Sequence, residues 1–195
     1  MKFFLAPMQG LTGYTVRNAF HHHFDYIDKY YTPFIPAAKR MNAKIKRDID
    51  PVNNDGITLI PQAMSIVADE VIDLHRQLVP YGYDEINVNL GCPSGTVVSK
   101  KRGSGILAYP DMLDSFLDEL YTKADFPVSI KTRVGFNDDE LWPRLIEIYS
   151  KYPISELTVH PRVQKDFYKN MPRMDDFALA MPVSYTHLTL PTICS

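Results

Sequence analysis

Glu85-Ile86-Asn87-Val88-Asn89-Leu90-Gly91-Cys92-Pro93 is the stretch on which the fold turns. Polar and apolar residues alternate through it, and on a strand side chains two apart share a face. Asn87 and Asn89 therefore point one way, while Ile86 and Val88 point the other. Gly91, Pro93 and Gly95 then break the strand into a loop that carries Cys92. A small core cysteine would sit better at a mid-strand apolar position, so the thiol reads as a group presented at a strand end.

The same design recurs on either side. Phe3 to Ala6, Tyr26 to Tyr30 and Ile57 to Ile60 read as earlier strands, and Val128 to Thr132 and Glu156 to His160 as later ones. Ser129, Lys131 and Arg133 share a face, as do Thr158, His160 and Arg162, with Ile130, Leu157 and Val159 turned away. Helical patterns lie between the strands. Val67, Val71, Leu74 and Leu78 recur at helical spacing after a Ser65 cap, and Pro80-Tyr81-Gly82 closes that helix. Pro110 opens a helix with the stripe Met112, Leu113, Phe116, Leu117, Leu120. A further helix lies near Asp138 to Lys151, its start blurred by Pro143.

Strands alternating with helices imply a parallel α/β protein, either an open doubly wound sheet or a closed (β/α)8 TIM barrel. The polar strand ends favour the barrel: Gln62, Asn89 with Cys92, Lys131 with Arg133, and His160 with Arg162 would gather at one mouth. No Gly-x-Gly-x-x-Gly fingerprint follows the first strand, as a dinucleotide-binding sheet would prefer.

Composition narrows the class. The chain has 195 residues, 45% of them hydrophobic and 12% aromatic, enough for a substantial core. No apolar run approaches the ~20 residues of a membrane span, and the first residues are too short for a signal peptide, so a cytoplasmic protein without a membrane partner is expected. Cys92 and Cys194 are the two cysteines, far apart and without metal-ligand spacing, which argues against a disulfide framework or a metal site and leaves Cys92 a free thiol. His21-His22-His23 cannot all face one ion on a helix and read as surface. The net charge of -2 argues against general nucleic-acid coating. Basic runs do occur at Lys39-Arg40, Lys44 to Arg47 and Lys100-Lys101-Arg102, either as solvated surface or as local RNA contacts. Lys100 to Gly105 reads as a mobile loop beside Cys92.

Ala6-Pro7-Met8-Gln9-Gly10-Leu11-Thr12, Gln62, Asn89-Leu90-Gly91-Cys92-Pro93, Lys131-Thr132-Arg133 and His160-Pro161-Arg162 together resemble the tRNA-dihydrouridine synthases, flavin enzymes on a β/α barrel. The resemblance implies an FMN-dependent oxidoreductase that uses NADPH to reduce the C5-C6 double bond of uridines in tRNA, with Cys92 as the proton donor. An ordinary thiol, with a pKa of about 8.5, stays largely protonated near neutrality and suits that role. Carried over by motif, Pro7, Met8, Gln9, Gln62, Lys131 and His160 are expected to bind the flavin. Asn89, Arg133, Arg162, Lys100 and Lys101 are expected near substrate, although a strand-end amide such as Asn89 can instead bind loop backbone. A related TIM-barrel flavin oxidoreductase acting on a free pyrimidine or another small unsaturated substrate, or an inactive fragment with weak RNA binding, remains open as an alternative. The family pattern departs at one point: Gly13 stands where an acidic residue is expected after Thr12, which puts in doubt any cap or contact that residue makes.

A complete barrel of this kind has about 250 residues and eight strands. The expectation is therefore a TIM barrel truncated to about six β/α units, monomeric in its full-length form, with residues 1–181 as the catalytic segment. The groups for the flavin phosphate and the family's C-terminal helical RNA-binding domain are expected to be absent. Residues 182–195, Pro182 to Ser195, leave the family pattern and read either as a non-native tail or as a divergent seventh strand, so Cys194 is given no role.

Overall fold

A computed structural model describes residues 2–38 and 40–183. In chain order the elements are β1 (Phe4–Leu5), α1 (Tyr14–His23), β2 (Lys29–Tyr31), β3 (Ile35–Pro36), α2 (Ala43–Ile49), β4 (Leu59–Ile60), β5 (Gln62–Met64) and α3 (Ala68–Leu78). They continue with β6 (Ile86–Leu90), α4 (Gly95–Val98), α5 (Pro110–Lys123), β7 (Val128–Gly135), α6 (Trp142–Ser150), β8 (Leu157–Val163) and α7 (Met174–Ala180). Met181–Val183 form a closing 3-10 turn, and the tail expected over 182–195 otherwise lies outside the described residues.

Strand order decides between the two architectures. Pairing runs β1-β2-β4 in one sheet and β3-β5-β6-β7-β8 in the other, and every pairing is parallel. Because β2 and β3 are successive pieces of one chain segment, and β4 and β5 of the next, each strand position pairs with the position that follows it in sequence. A doubly wound sheet reverses direction at a switch point; this order advances steadily, as a barrel wall does. The fold is α/β, with six consecutive strand positions of a β/α barrel.

The eight short strands, where six were expected, have a local cause. Pro33 falls between β2 and β3, and Pro61 between β4 and β5, and a proline cannot donate to a sheet ladder. Other boundaries also move. The second strand position begins at Lys29 instead of Tyr26, while β7 and β8 run on to Gly135 and Val163; Arg133 pairs with His160 in the ladder, and Arg162 falls in the irregular stretch before Gly135 pairs with Val163. Pro143 occupies the first turn of α6, where its missing N–H costs nothing, so that helix starts at Trp142. Ser65 is not the N-cap of α3: that position is Val67, whose side chain is exposed, and Ser65 Oγ instead accepts from Val67 N at 3.0 Å and donates to the Glu70 carboxylate.

The core forms where the strands' outer faces meet the helices. Ile86, Val88, Ile130, Leu157 and Val159 are buried against Val71, Leu74 and Leu78 of α3, Leu113, Phe116, Leu117 and Leu120 of α5, and Trp142, Leu145 and Ile148 of α6. Each large apolar side chain removed from water contributes about 1.5–3 kcal/mol, so this layer holds the frame and leaves the inner, polar face free for chemistry.

Candidate active site

The strand register aligns the polar strand ends. Gln62 lies beside Asn87, Asn89 beside Lys131, and Arg133 beside His160. Gln62, Asn89, Lys131, Arg133 and His160 line a cavity of about 320 Å³ together with Pro7, Met8, Gln9, Cys92 and Pro93, and Asn87 lies outside its lining. That volume falls within the ~300–1,000 Å³ of small-molecule sites.

A chain of side-chain amides crosses the site. Asn87 Nδ2 donates to Ser129 Oγ at 3.0 Å, Gln62 Nε2 to Asn87 Oδ1 at 2.7 Å, and Asn89 Nδ2 to Gln62 Oε1 at 2.7 Å. Asn89 Oδ1 then accepts the main-chain N–H groups of Gly91 at 3.1 Å and Cys92 at 2.8 Å. Asn89 thus binds loop backbone, the alternative its position allowed. Gln62, buried, has one donor and one acceptor engaged within the chain, leaving its second amide hydrogen for a ligand.

The carbonyls of the Cys92 loop are held as well. Gly91 O accepts from Arg133 Nε at 2.9 Å, Cys92 O from Ser104 N at 3.1 Å and Ser104 Oγ at 2.8 Å, and Pro93 O from Gln164 Nε2 at 2.9 Å. With its backbone groups satisfied, the loop holds a half-buried thiol at the cavity wall.

Arg133 lines the cavity, yet its hydrogen bonds run to the main chain. Besides Gly91 O, its Nη1 reaches Val163 O and Phe167 O, each at 3.0 Å. It therefore ties the Cys92 loop to the segment after β8. Arg162 does not line the cavity; its Nε donates to Asn170 O at 2.6 Å and its Nη1 to His160 Nε2 at 3.0 Å. Since a guanidinium only donates, Nε2 is the acceptor, and a neutral His160 carries its hydrogen on Nδ1. Burial first, and then Lys131, Arg133 and Arg162, push the His160 pKa down to about 2, in keeping with that neutral ring. Lys131 is held at about 8, chiefly by burial and then by Arg133, with Cys92 acting in the opposite sense. The strand ends thus form an electropositive floor.

Lys100 and Lys101 are exposed and outside the cavity, with Lys101 Nζ lying 4.3 Å from the Tyr109 ring centre. The expected mobile loop over Lys100 to Gly105 is corrected in its second half: Gly103–Ala108 is a 3-10 helix in which Gly103, Ser104 and Gly105 are buried behind Cys92. His21, His22 and His23 are exposed at the end of α1.

Four cavity residues were not foreseen: Phe34, Ser94, Phe167 and Tyr168. Phe167 adopts a left-handed φ of 49° with ψ of -97°, uncommon for a residue with a side chain and costly by about 1–3 kcal/mol. The Tyr168 ring stacks on His160 with centres 5.9 Å apart and lies 5.5 Å from the Arg133 guanidinium carbon. An aromatic pair so soon after the His160 motif was the only signal in the sequence.

Parallel strands in barrel order, with a thiol, a lysine and a neutral imidazole gathered at one mouth, define a β/α-barrel protein with a polar cavity at its strand ends. The family model described as dihydrouridine synthase matches residues 4–177, and the chain belongs to that family. Among relatives, the "tRNA-dihydrouridine synthase B" of Pasteurella multocida (strain Pm70) is 26% identical over 184 residues, 90% of this chain and 53% of that protein. The "Probable tRNA-dihydrouridine synthase" of Staphylococcus aureus (strain COL) is 34% identical over 94 residues, 48% of this chain and 28% of its own length. A "tRNA-dihydrouridine(20/20a) synthase" of Vibrio cholerae is 33% identical over 85 residues, 42% of this chain and 26% of that protein. The chain thus spans about half or less of these relatives. Among the described residues no helix is long and apolar enough to cross a membrane, and no group of three or more His, Cys, Asp or Glu could hold a metal ion.

Proposed function

We propose that this chain carries the catalytic mouth of an oxidoreductase that reduces uridine in tRNA to dihydrouridine, with FMN as the bound cofactor and NADPH as its reductant. The observation that carries the reading is Cys92, held by its backbone at a cavity whose floor is Lys131 and neutral His160.

The residues fit a flavin. Lys131 has Arg133 and Cys92 as its nearest titrating influences and no carboxylate among them, so its charge is free to meet an electron-rich ring. Met8 and Gln9 are exposed at the end of β1 and offer main-chain groups to a flat ligand, while Gln62 retains an amide hydrogen and His160 an Nδ1 hydrogen. When bound, FMN supplies the hydride for uracil C6.

Cys92 holds a proton at Sγ and delivers it to C5, so that hydride and proton together saturate the double bond; solvent then reprotonates the thiolate. Lys131 offsets negative charge in the cavity. Arg133 and Asn89 keep the Cys92 loop fixed while an extruded base enters. Tyr168 offers an aromatic face beside the entry. Soluble tRNA in the cytoplasm is the matching substrate and compartment.

The test supplies the chain with FMN, NADPH and unmodified tRNA, or with free uracil, and measures dihydrouridine by mass spectrometry. Formation on tRNA alone, reduced about 10²–10⁴-fold by Cys92→Ala, is the expected result. Equal turnover by the variant would overturn the role of Cys92, and reduction of uracil but not tRNA would overturn the substrate.

A further inference from the structure

The segment that ends β1 is fixed by a carboxylate from a distant element. Leu11 and Thr12 donate their N–H groups to Met8 O at 3.1 and 3.0 Å, and Met8 N donates to Thr12 Oγ1 at 2.8 Å, closing a tight turn behind Met8 and Gln9. Arg17 of α1, fully buried, seizes this turn: its Nη1 donates to Thr12 O at 2.8 Å. The same guanidinium is held by the Asp48 carboxylate at 3.2 Å, by Asp48 O at 2.6 Å and by Asn54 Oδ1 at 2.9 and 3.3 Å. The other carboxylate oxygen of Asp48 accepts Tyr14 N at 2.7 Å, a free N–H in the first turn of α1.

Position 13 makes the arrangement informative. Gly13 is the N-cap of α1 and has no side chain to cap it, although its backbone (φ -67°, ψ 172°) is one that any residue adopts. A Cβ built there would meet one atom within 4 Å: Asp48 Oδ1, at 3.2 Å. The Asp48 carboxylate thus lies against the space into which a side chain from position 13 would extend, and it satisfies Tyr14 N, one of the N–H groups left free in the first turn of α1.

We propose that Asp48 is a positioning residue for the Met8–Gln9 segment, supplying from α2 a carboxylate at the start of α1, where Gly13 has no side chain. The chain of action runs from Asp48 to Arg17, from Arg17 to Thr12 O, and from the Thr12 turn to Met8. The functional consequence rests on the reading of Pro7 to Gln9 as a flavin seat. The glycine and the aspartate form a reciprocal pair: an acid at 13 crowds Asp48, and removing Asp48 opens its place.

The experiment compares the wild-type chain, Asp48→Ala, Gly13→Asp and the double variant Gly13→Asp/Asp48→Ala, reading FMN dissociation constants by flavin fluorescence and amide hydrogen exchange at Met8 to Tyr14. Asp48→Ala is expected to weaken FMN about tenfold and to speed exchange across the turn. Gly13→Asp alone is expected to disturb the turn by crowding and like charge. The double variant should return both readouts to within about threefold of wild type, a rescue that a merely structural contact on α2 would not give. Unchanged FMN affinity in Asp48→Ala, or no recovery in the double variant, overturns the proposal. If Asp48→Ala does not fold, recovery of folded protein by adding Gly13→Asp supports it, and failure to recover overturns it. If the wild-type chain binds no FMN, the flavin reading fails, while the exchange pattern still decides the role of Asp48.

Discussion

Asn89 Oδ1 accepts the Cys92 main-chain N–H at 2.8 Å, while Asn89 Nδ2 donates to Gln62 Oε1 at 2.7 Å. One amide thus couples the loop of the proposed acid to the network across the barrel mouth. Asn89→Ala leaves two loop donors and one buried acceptor unpaired and is expected to cost about 2–4 kcal/mol. It should also raise the alkylation rate of Cys92, read at the Cys92 peptide. Asn89→Asp keeps the acceptor for the loop but sets a carboxylate oxygen against Gln62 Oε1, so stability should fall while alkylation stays near wild type. Equal alkylation in all three proteins would mean that the loop holds itself.

Lys131 predicts a pH dependence of stability. Burial lowers its pKa from the ordinary 10.5 to about 8. Between those values the unfolded chain carries a proton that the folded chain has released, so raising pH across that window favours the fold; below about 8 the cost of the buried charge is constant. Lys131→Met should therefore be more stable than wild type by about 1–3 kcal/mol at pH 7, and the gap should close toward pH 10. Chemical denaturation of both proteins at pH 7 and pH 10 measures this, and a pH-independent gap would rule it out.

Much of this site is legible in sequence because its pattern is local. Period-two alternation is a property of one strand, so the shared faces of Asn87 with Asn89, Lys131 with Arg133 and His160 with Arg162 follow without any knowledge of the partner strands. Proximity across chain distance is not local. Asp48 reaches Arg17 over 31 positions, and the Arg133 donors end on the carbonyls of Gly91, Val163 and Phe167, groups that every residue type carries. Phe34 and Tyr168 reach the cavity only through the path of their loops. The interruptions at Pro33 and Pro61, by contrast, were available to a reading that asked where a strand lacks a donor.

Gly103 packs directly behind the proposed acid. Its φ of +54° lies in the left-handed region, and a Cβ there would come within 2.8 Å of Cys92 O and 3.0 Å of Cys92 Cβ. Gly103→Ala therefore combines backbone strain with a collision that must shift the Cys92 loop. A loss of about 2–4 kcal/mol is expected in thermal or urea unfolding, together with a changed Cys92 alkylation rate. A variant matching wild type in both would show that this turn does not set the position of the thiol.

Asp176 of α7 places a second pH response behind the segment that bears Tyr168. Its Oδ2 is buried without a hydrogen-bond partner, and burial, then the neighbouring Asp139 carboxylate, raise its pKa from 3.8 to about 6. Asp139 also pairs with Arg173 at 3.0 Å, and Arg173 in turn grips Asp166, whose carboxylate accepts Val163 N at 3.2 Å. A carboxyl raised in this way keeps its proton in the folded chain between pH 3.8 and about 6, where the unfolded chain has released it. Its contribution to stability is therefore complete at low pH and is lost as pH rises through 6. Asp176→Asn imitates the protonated form without titrating. At pH 7.5 the variant should be more stable than wild type by about 1–2 kcal/mol, and at pH 4.5 the gap should be smaller, closing fully only below pH 3.8. Urea midpoints at both values measure the difference. A constant offset would place the strain in side-chain fit and leave the Asp176 proton without effect on α7.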